Sequence, residues 1–279
     1  YRDQYLTRLM PELPEVETSV RAIQTFQNQI LESVEIHNPN LRWPVDLEAF
    51  KNLKGITVDQ ISRRAKYILF HVEDSQILLH LGMTGTVRIA EKESNFYKKH
   101  DHVEFIFQDA KLIYNDPRRF GSLHFVPDPQ HHFLLDKLGP EPLSEDFNGE
   151  YLFKRLRKVN SPIKISLMNQ SHVVGIGNIY ANEILFDVGI RPTKRSKLIT
   201  KKQSLDIAVS AKKILRRAIE VGGTTLKDFY RPDGNQGYFK IELAAYDREG
   251  QECVRCKAGI IQRIVQTQRA SFFCSNCQS

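Results

Sequence analysis

Apolar positions along this chain change period as the chain advances. Between Pro14 and about Gln27, Val16, Val20, Ile23 and Phe26 recur at helical spacing, and Pro14 falls in the first turn, where a missing N–H costs nothing. One amphipathic helix is therefore expected to open the fold. From about residue 31 to 126 the pattern becomes short β-rich runs: SVEIH, ITVDQISRR, YILFHV, ILLHLGM, TVRIA, HVEFIF, KLIYN and SLHFV. Runs of this length, separated by Gly, Asp and Asn turns, predict a β-sandwich or barrel. The stretch PDPQHHFLLDKLGPEPLSEDFNG breaks any period with prolines and acids and is expected to be a linker. Helical spacing then returns at Tyr151–Lys158, at Ile163–Asn169 behind a Ser161-Pro162 cap, at Asn178–Phe186 and at Ser204–Val221, the last stopped by Gly222-Gly223. The C-terminal segment is β-rich again, in IIQRIV and ASFF around an expected turn.

Composition narrows the classes. The chain has 279 residues with 41% hydrophobic content, enough for real cores, and no apolar stretch reaches the ~20 residues of a membrane helix. No secretory signal is seen in the first ten residues, so a cytoplasmic address is expected. The net charge of +7 suits a polyanionic partner, and the cations cluster at Arg63, Arg64 and Lys66, at Lys98 and Lys99, at Arg118 and Arg119, at Lys154 to Lys158, at Lys201 and Lys202, and at Lys212 to Arg217. Separated clusters predict a groove rather than a tail. All four cysteines lie between Cys253 and Cys277, as C-x2-C, seventeen residues, C-x2-C. That spacing suits one closed tetrahedral zinc site through Cys253, Cys256, Cys274 and Cys277, with a structural role because no coordination position stays open.

The remaining signals are motifs. MPELPEVET from Met10, then RRAKY, HLGMTG, DPRRFG, VVGIGNIYANE, GGTTLKDF and the four-cysteine module occur in this order. Together they resemble the formamidopyrimidine-DNA glycosylase family across residues 10 to 279. The resemblance implies an α+β multidomain fold: an N-terminal β-sandwich with an opening helix, a helical helix-two-turn-helix domain and a C-terminal β-hairpin zinc finger. The expected divisions are 1–10 as an extension, 11–130 as the catalytic domain, 131–149 as linker, 150–245 as the DNA-binding helices and 246–279 as the finger. It also implies a monomer acting in base-excision repair on double-stranded DNA with oxidised bases or abasic sites, with no membrane partner.

The residue types fit that chemistry. A glycosylase that also cuts the strand needs an amine, because attack on the anomeric carbon gives an iminium that acidifies the neighbouring sugar protons. A free N-terminal proline is such an amine, and by resemblance Pro11 is the nucleophile. Glu12 resembles the acid that protonates the ring oxygen, while Glu15 is expected to orient the site or to cap the helix. Lys66 resembles the lysine that contacts the flanking phosphate and assists β-elimination, and Arg269 the arginine of phosphate contact and δ-elimination. Met83, Arg118 and Phe120 resemble a trio that fills the void left by an everted base: an apolar plug, a cation for the widowed cytosine and an aromatic wedge. Arg119 and His100 are further DNA contacts by the same resemblance. Gly175, Gly177 and Asn178 open a helix whose free N–H groups suit a phosphate, with Asn178 and Lys164 as its expected ligands. Thr224, Thr225 and Lys227 fall in the loop expected to close over the everted base.

Two readings compete with an oxidised-purine glycosylase. The endonuclease VIII type, which prefers oxidised pyrimidines, opens with Pro-Glu-Gly-Pro, whereas Leu13 stands at that position here. The other is a lesion-binding protein without chemistry: in the chain as written the Pro11 nitrogen is a tertiary amide and cannot form an iminium, so Met10 is expected to be the true start if the protein is a lyase. The cysteine pairs also stand one residue further apart than is usual in the family.

Overall fold

The computed structural model describes residues 11–94, 96–222 and 243–279. These residues form two compact units, the first comprising residues 11–133 together with Gly222 and the second Leu134–Val221 and residues 243–279.

In the first unit the expected helix is α1 (Leu13–Ile23), prolonged by a 3-10 turn at Gln24–Phe26, with Leu13, Val16, Val20 and Ile23 all buried. The strands follow as β1 (Gln29–Leu31), β2 (Ser33–Ile36), β3 (Ile56–Val58), β4 (Gln60–Arg64), β5 (Tyr67–Val72), β6 (Ser75–His80), β7 (Thr86–Glu91), β8 (Asp101–Ile106), β9 (Ala110–Asn115) and β10 (Ser122–Val126). They make two four-stranded antiparallel sheets, in the orders β10-β6-β5-β4 and β2-β8-β9-β7, beside a small β1-β3 pair. The alternating apolar residues meet between the sheets, where the Phe70 and Phe105 rings stack at 5.2 Å. This is a sandwich. The run ITVDQISRR divides at Asp59 because Ile56–Val58 pairs with β1 while Gln60–Arg64 pairs with β5. The run ILLHLGM stops being strand at His80 because Gly82, at φ 68°, turns the chain away. Sequence reasoning also passed over α2 (Leu47–Lys51), one short helix capped by Asp46, whose carboxylate accepts from Glu48 N and Ala49 N.

The second unit carries α3 (Gly149–Leu156), α4 (Ile163–Leu167), α5 (Asn178–Asp187), α6 (Lys201–Glu220) and the hairpin β11 (Ile261–Gln266) and β12 (Arg269–Cys274). Helix α5 is buried from Ile179 to Phe186, packed against α4, α6 and β12, and it is the centre of the unit. Helix α3 begins two residues before the expected Tyr151, and one cap and one further start also differ from expectation. Helix α4 begins at Ile163 with Pro162 as its cap, and the Ser161 hydroxyl pairs instead with Ser166 Oγ at 2.8 Å. Helix α6 begins at Lys201 rather than Ser204, because Thr200 and Gln203 form a capping box in which each side chain accepts the other's backbone N–H at 3.1 Å. No helix among the described residues is long and apolar enough to cross a membrane.

Candidate functional site

At the head of α1, Glu12 is the N-cap and Glu15 the third helical residue, and each side chain accepts the other's backbone N–H; Glu12 N to Glu15 Oε2 is 3.0 Å. Both residues are buried, Glu12 to 1% exposure. The carboxyl group beside Pro11 is therefore fixed in direction by the helix it starts, and Glu15 caps that helix. Leu13 is wholly buried as its first residue.

Helix α1 packs on β4 and β5, and an ion pair between Glu17 Oε2 and Arg63 Nε at 2.9 Å ties it to the end of β4. Arg63 also donates to Ala65 O at 2.9 Å, bracing a two-residue turn in which Ala65 takes φ 54° and Lys66 follows. Lys66 stands half-buried in this turn, between β4 and β5, rather than on the strand itself. Its charge is felt by a residue that sequence reasoning missed. His80 ends β6 with its ring 4.9 Å from the Tyr67 ring, and its Nδ1 accepts from Gly82 N at 3.1 Å. Burial, with Lys66 and Arg42 nearby, pushes the His80 pKa down to about 4, so the ring is neutral at physiological pH. The lone histidine closing an apolar strand before Leu-Gly-Met was the available signal.

Two turns follow at the ends of β6 and β9. Met83 and Thr84 lie in the first, closed by Gly85 N donating to Leu81 O at 2.9 Å. Arg118, Arg119 and Phe120 are exposed in the second, with the Arg118 guanidinium 4.6 Å over the Phe120 ring. Between the turns Asp116 is fully buried. Its Oδ1 accepts from Thr84 Oγ1 at 2.7 Å and Arg118 N at 3.2 Å, and its Oδ2 from Gly121 N at 2.9 Å and Tyr114 Oη at 3.0 Å. His100, at φ 76°, lines a cavity of about 320 Å³ with Thr86, Arg88, Lys98, Lys99, Asn115 and Pro117. Arg88 is already paired there with Asp101, at 2.5 and 2.6 Å.

In the second unit Arg269 is the exposed first residue of β12, directly after a two-residue turn whose members, Thr267 and Gln268, both have positive φ, at 48° and 61°. Three buried polar groups hold this part of the chain, two of them bonding to the hairpin itself and one, Glu183, to the segment 244–246 ahead of it. Asn182 Oδ1 accepts from Phe272 N at 2.8 Å, and Glu183 accepts the N–H groups of Ala244, Ala245 and Tyr246 at 2.7 to 3.0 Å. The third is Lys164. Its Nζ, at 2.6 Å from Ala270 O and 2.7 Å from Ser271 Oγ, belongs to a residue with no exposed surface. The ammonium expected to hold a phosphate lies, in this structure, inside the unit and holds the hairpin beside Arg269. Asn178 opens α5 behind Gly177, and its side-chain Oδ1 is buried with no hydrogen-bond partner. The expected loop residues Thr224, Thr225 and Lys227 lie outside the described residues, as does Met10.

The four cysteine sulfurs lie within 4.8 Å of one another, with Cys253 to Cys277 and Cys256 to Cys274 both at 3.8 Å. None is in a disulfide. The cluster is a set of donors able to hold a metal ion, and Gly259 is packed so close that a Cβ would stand 2.5 Å from Cys274 Sγ.

Family models match two stretches: the formamidopyrimidine-DNA glycosylase N-terminal domain over residues 10–123 and the formamidopyrimidine-DNA glycosylase H2TH domain over residues 138–230. The formamidopyrimidine-DNA glycosylase of Haemophilus influenzae (strain 86-028NP) is 46% identical over 271 residues, covering 96% of this chain and 99% of that protein. That of Alcanivorax borkumensis is 47% identical over 271 residues, with 96% and 100% covered. Among solved structures, the Lactococcus lactis enzyme bound non-covalently to DNA containing an abasic site superposes with a TM-score of 0.84 at 35% identity, covering 96% of this chain and 99% of that one. The same wild-type enzyme with DNA containing an N7-benzyl-Fapy-dG gives a TM-score of 0.87 at 35% identity, with 96% and 100% covered.

Proposed function

Because this chain belongs to the formamidopyrimidine-DNA glycosylase family and is a DNA-repair glycosylase and abasic-site lyase, we propose that its reaction runs through the Pro11 nitrogen on oxidised purines, 8-oxoguanine and formamidopyrimidines. The nitrogen attacks the anomeric carbon of the everted nucleotide, the base leaves with the bonding pair and takes up the proton that the nitrogen sheds, and Glu12 delivers a proton to the ring oxygen as the sugar opens to the iminium. The resulting iminium draws electrons from the adjacent carbon, which gives up a proton as the 3′ phosphate departs; a second elimination releases the 5′ phosphate. Lys66 serves the first elimination and Arg269 the second. Met83, Arg118 and Phe120 fill the vacated stack, Asn178, Arg119 and His100 bear on phosphates, and the loop residues Thr224, Thr225 and Lys227 meet the base. The observation that supports this reading best is the buried reciprocal cap of Glu12 and Glu15, which aims a carboxyl group next to Pro11.

The ion of the cysteine cluster is zinc in this reading. Four sulfurs at about 2.3 Å from a tetrahedral zinc stand about 3.8 Å apart, the separation of both measured cysteine pairs. When bound, the ion supplies folding energy to the hairpin and no chemistry to the sugar.

The test is borohydride trapping on 8-oxoguanine duplex. Protein prepared to begin at Pro11 is expected to be trapped and to leave β,δ-elimination products, whereas protein retaining Met10 and the preceding residues is expected to do neither, since an acylated nitrogen is no nucleophile. Equal trapping of both forms assigns the nucleophile to another amine. Turnover of 8-oxoguanine over thymine glycol separates the purine reading from the endonuclease VIII type.

A further inference from the structure

We propose that Asp116 is the positioning residue for opposite-base recognition: one buried carboxylate that sets the relative placement of the two turns carrying Met83, Arg118 and Phe120. The inference rests on the void-filling reading of those three residues.

The geometry is specific. Arg118 N and Gly121 N bracket the exposed segment Arg118–Phe120, and they bond to different oxygens of the same carboxylate, at 3.2 and 2.9 Å. Thr84, next to Met83, reaches the first of those oxygens at 2.7 Å, and Tyr114 Oη anchors the second from strand β9 at 3.0 Å. Each oxygen thus serves two of these donors. No side chain other than a carboxylate offers acceptors at both positions with no hydrogen to clash. The turns are also in backbone contact: a Cβ on Gly82 would stand 2.4 Å from Gly121 N, and one on Gly121 would stand 1.8 Å from Tyr114 Oη. Neither turn has room to shift without the other, and Asp116 fixes where the pair comes to rest. Since a bidentate hydrogen-bonding contact fails over about an ångström, a small displacement of the Arg118 turn reaches the widowed base as lost discrimination.

The variant is Asp116→Asn, which keeps the shape and puts an amide NH2 against two donors. The readout is the ratio of kcat/KM for 8-oxoguanine opposite cytosine to that opposite adenine, taken within one preparation so that folded fraction and nucleophile competence cancel. Arg118→Ala is measured beside it. Both ratios are expected to fall, with Asp116→Asn within about twofold of Arg118→Ala. A wild-type ratio in Asp116→Asn with a lowered one in Arg118→Ala overturns the role of Asp116 alone; a wild-type ratio in Arg118→Ala removes the void-filling reading and this inference with it. Should Asp116→Asn not accumulate as folded protein, Tyr114→Phe decides, since it removes one donor from the oxygen that holds Gly121 N. A ratio lowered threefold or more supports the inference, and an unchanged one overturns it.

Discussion

Replacing Lys164 by methionine separates two physical roles that the same residue was open to. In the structure its ammonium makes two hydrogen bonds to the hairpin, at 2.6 and 2.7 Å, from a residue with no exposed surface. Charge-assisted bonds of this kind contribute roughly 1.5–3 kcal/mol each. Methionine keeps the apolar stem and removes the several kcal/mol that burying an ammonium costs, while Ser271 Oγ keeps its bond to Gln266 Oε1 at 2.7 Å. What remains is chiefly the Ala270 carbonyl left without this donor, worth about 1–3 kcal/mol. At about 3 °C per kcal/mol for a unit of this size, the melting temperature should fall by roughly 3–9 °C. The salt dependence of DNA binding should keep its slope, because no phosphate contact is lost. Calorimetry and a binding titration at several salt concentrations measure both quantities. Unchanged melting together with a slope smaller by about 0.9 would mean one phosphate contact removed and would refute the buried role.

Three other outcomes follow from the same structure. Metal analysis is expected to give one zinc per chain, and stripping it with a chelator should weaken DNA binding while the sandwich of the first unit keeps its near-ultraviolet signal; well under one equivalent of metal counts against the site. With on the order of five phosphate contacts, raising salt about fourfold should lower affinity roughly 500-fold, and a flat response removes the phosphate-contact reading. Burial pushes His80 and His124 down to about 4, with Lys66 adding to the effect on the first and His132 on the second. As pH falls below the ordinary histidine range the unfolded chain takes up protons that the fold refuses. Stability is therefore full above about pH 6.5 and declines toward pH 4. His124→Phe, which removes a ring nitrogen that is buried without a partner, should flatten part of that decline, and an identical pH profile in the variant would show that His124 contributes none of it.

The elements legible in the sequence were those whose signal is local. Period-two runs became the strands of the sandwich because each alternating apolar set had one buried face to satisfy. The cysteine spacing marked the metal-donor cluster because thiolates converge on an ion whatever the surrounding fold. Sequence failed where the partner is distant. Lys164, near a helix start, was expected to hold a phosphate, and only a hairpin 106 residues later makes it a buried strut. Asp116 was visible as a turn residue, but its donors Tyr114, Arg118 and Gly121 are local while Thr84 is 32 residues away, so its bridging role required the tertiary structure. His80 gave only the faint signal of one polar residue closing an apolar strand. The start of α6 is a different case: the Thr200 and Gln203 pair is a local signal that the run of apolar spacing obscured.

The long reach of Lys164 also bears on how the second unit assembles. Joining residues 106 apart closes a large loop, at an entropic cost of about 4 kcal/mol from the logarithm of its length. A floppy hairpin would add its own ordering cost to that closure. A hairpin already knit by its ion presents the Ala270 carbonyl and Ser271 hydroxyl as a preformed receptor, so that docking onto α4 and α5 joins two finished pieces. Metal supply would then set the pace of maturation: chains refolding without zinc should collect as a species with helices formed and the hairpin undocked, and added ion should convert that species to the finished unit.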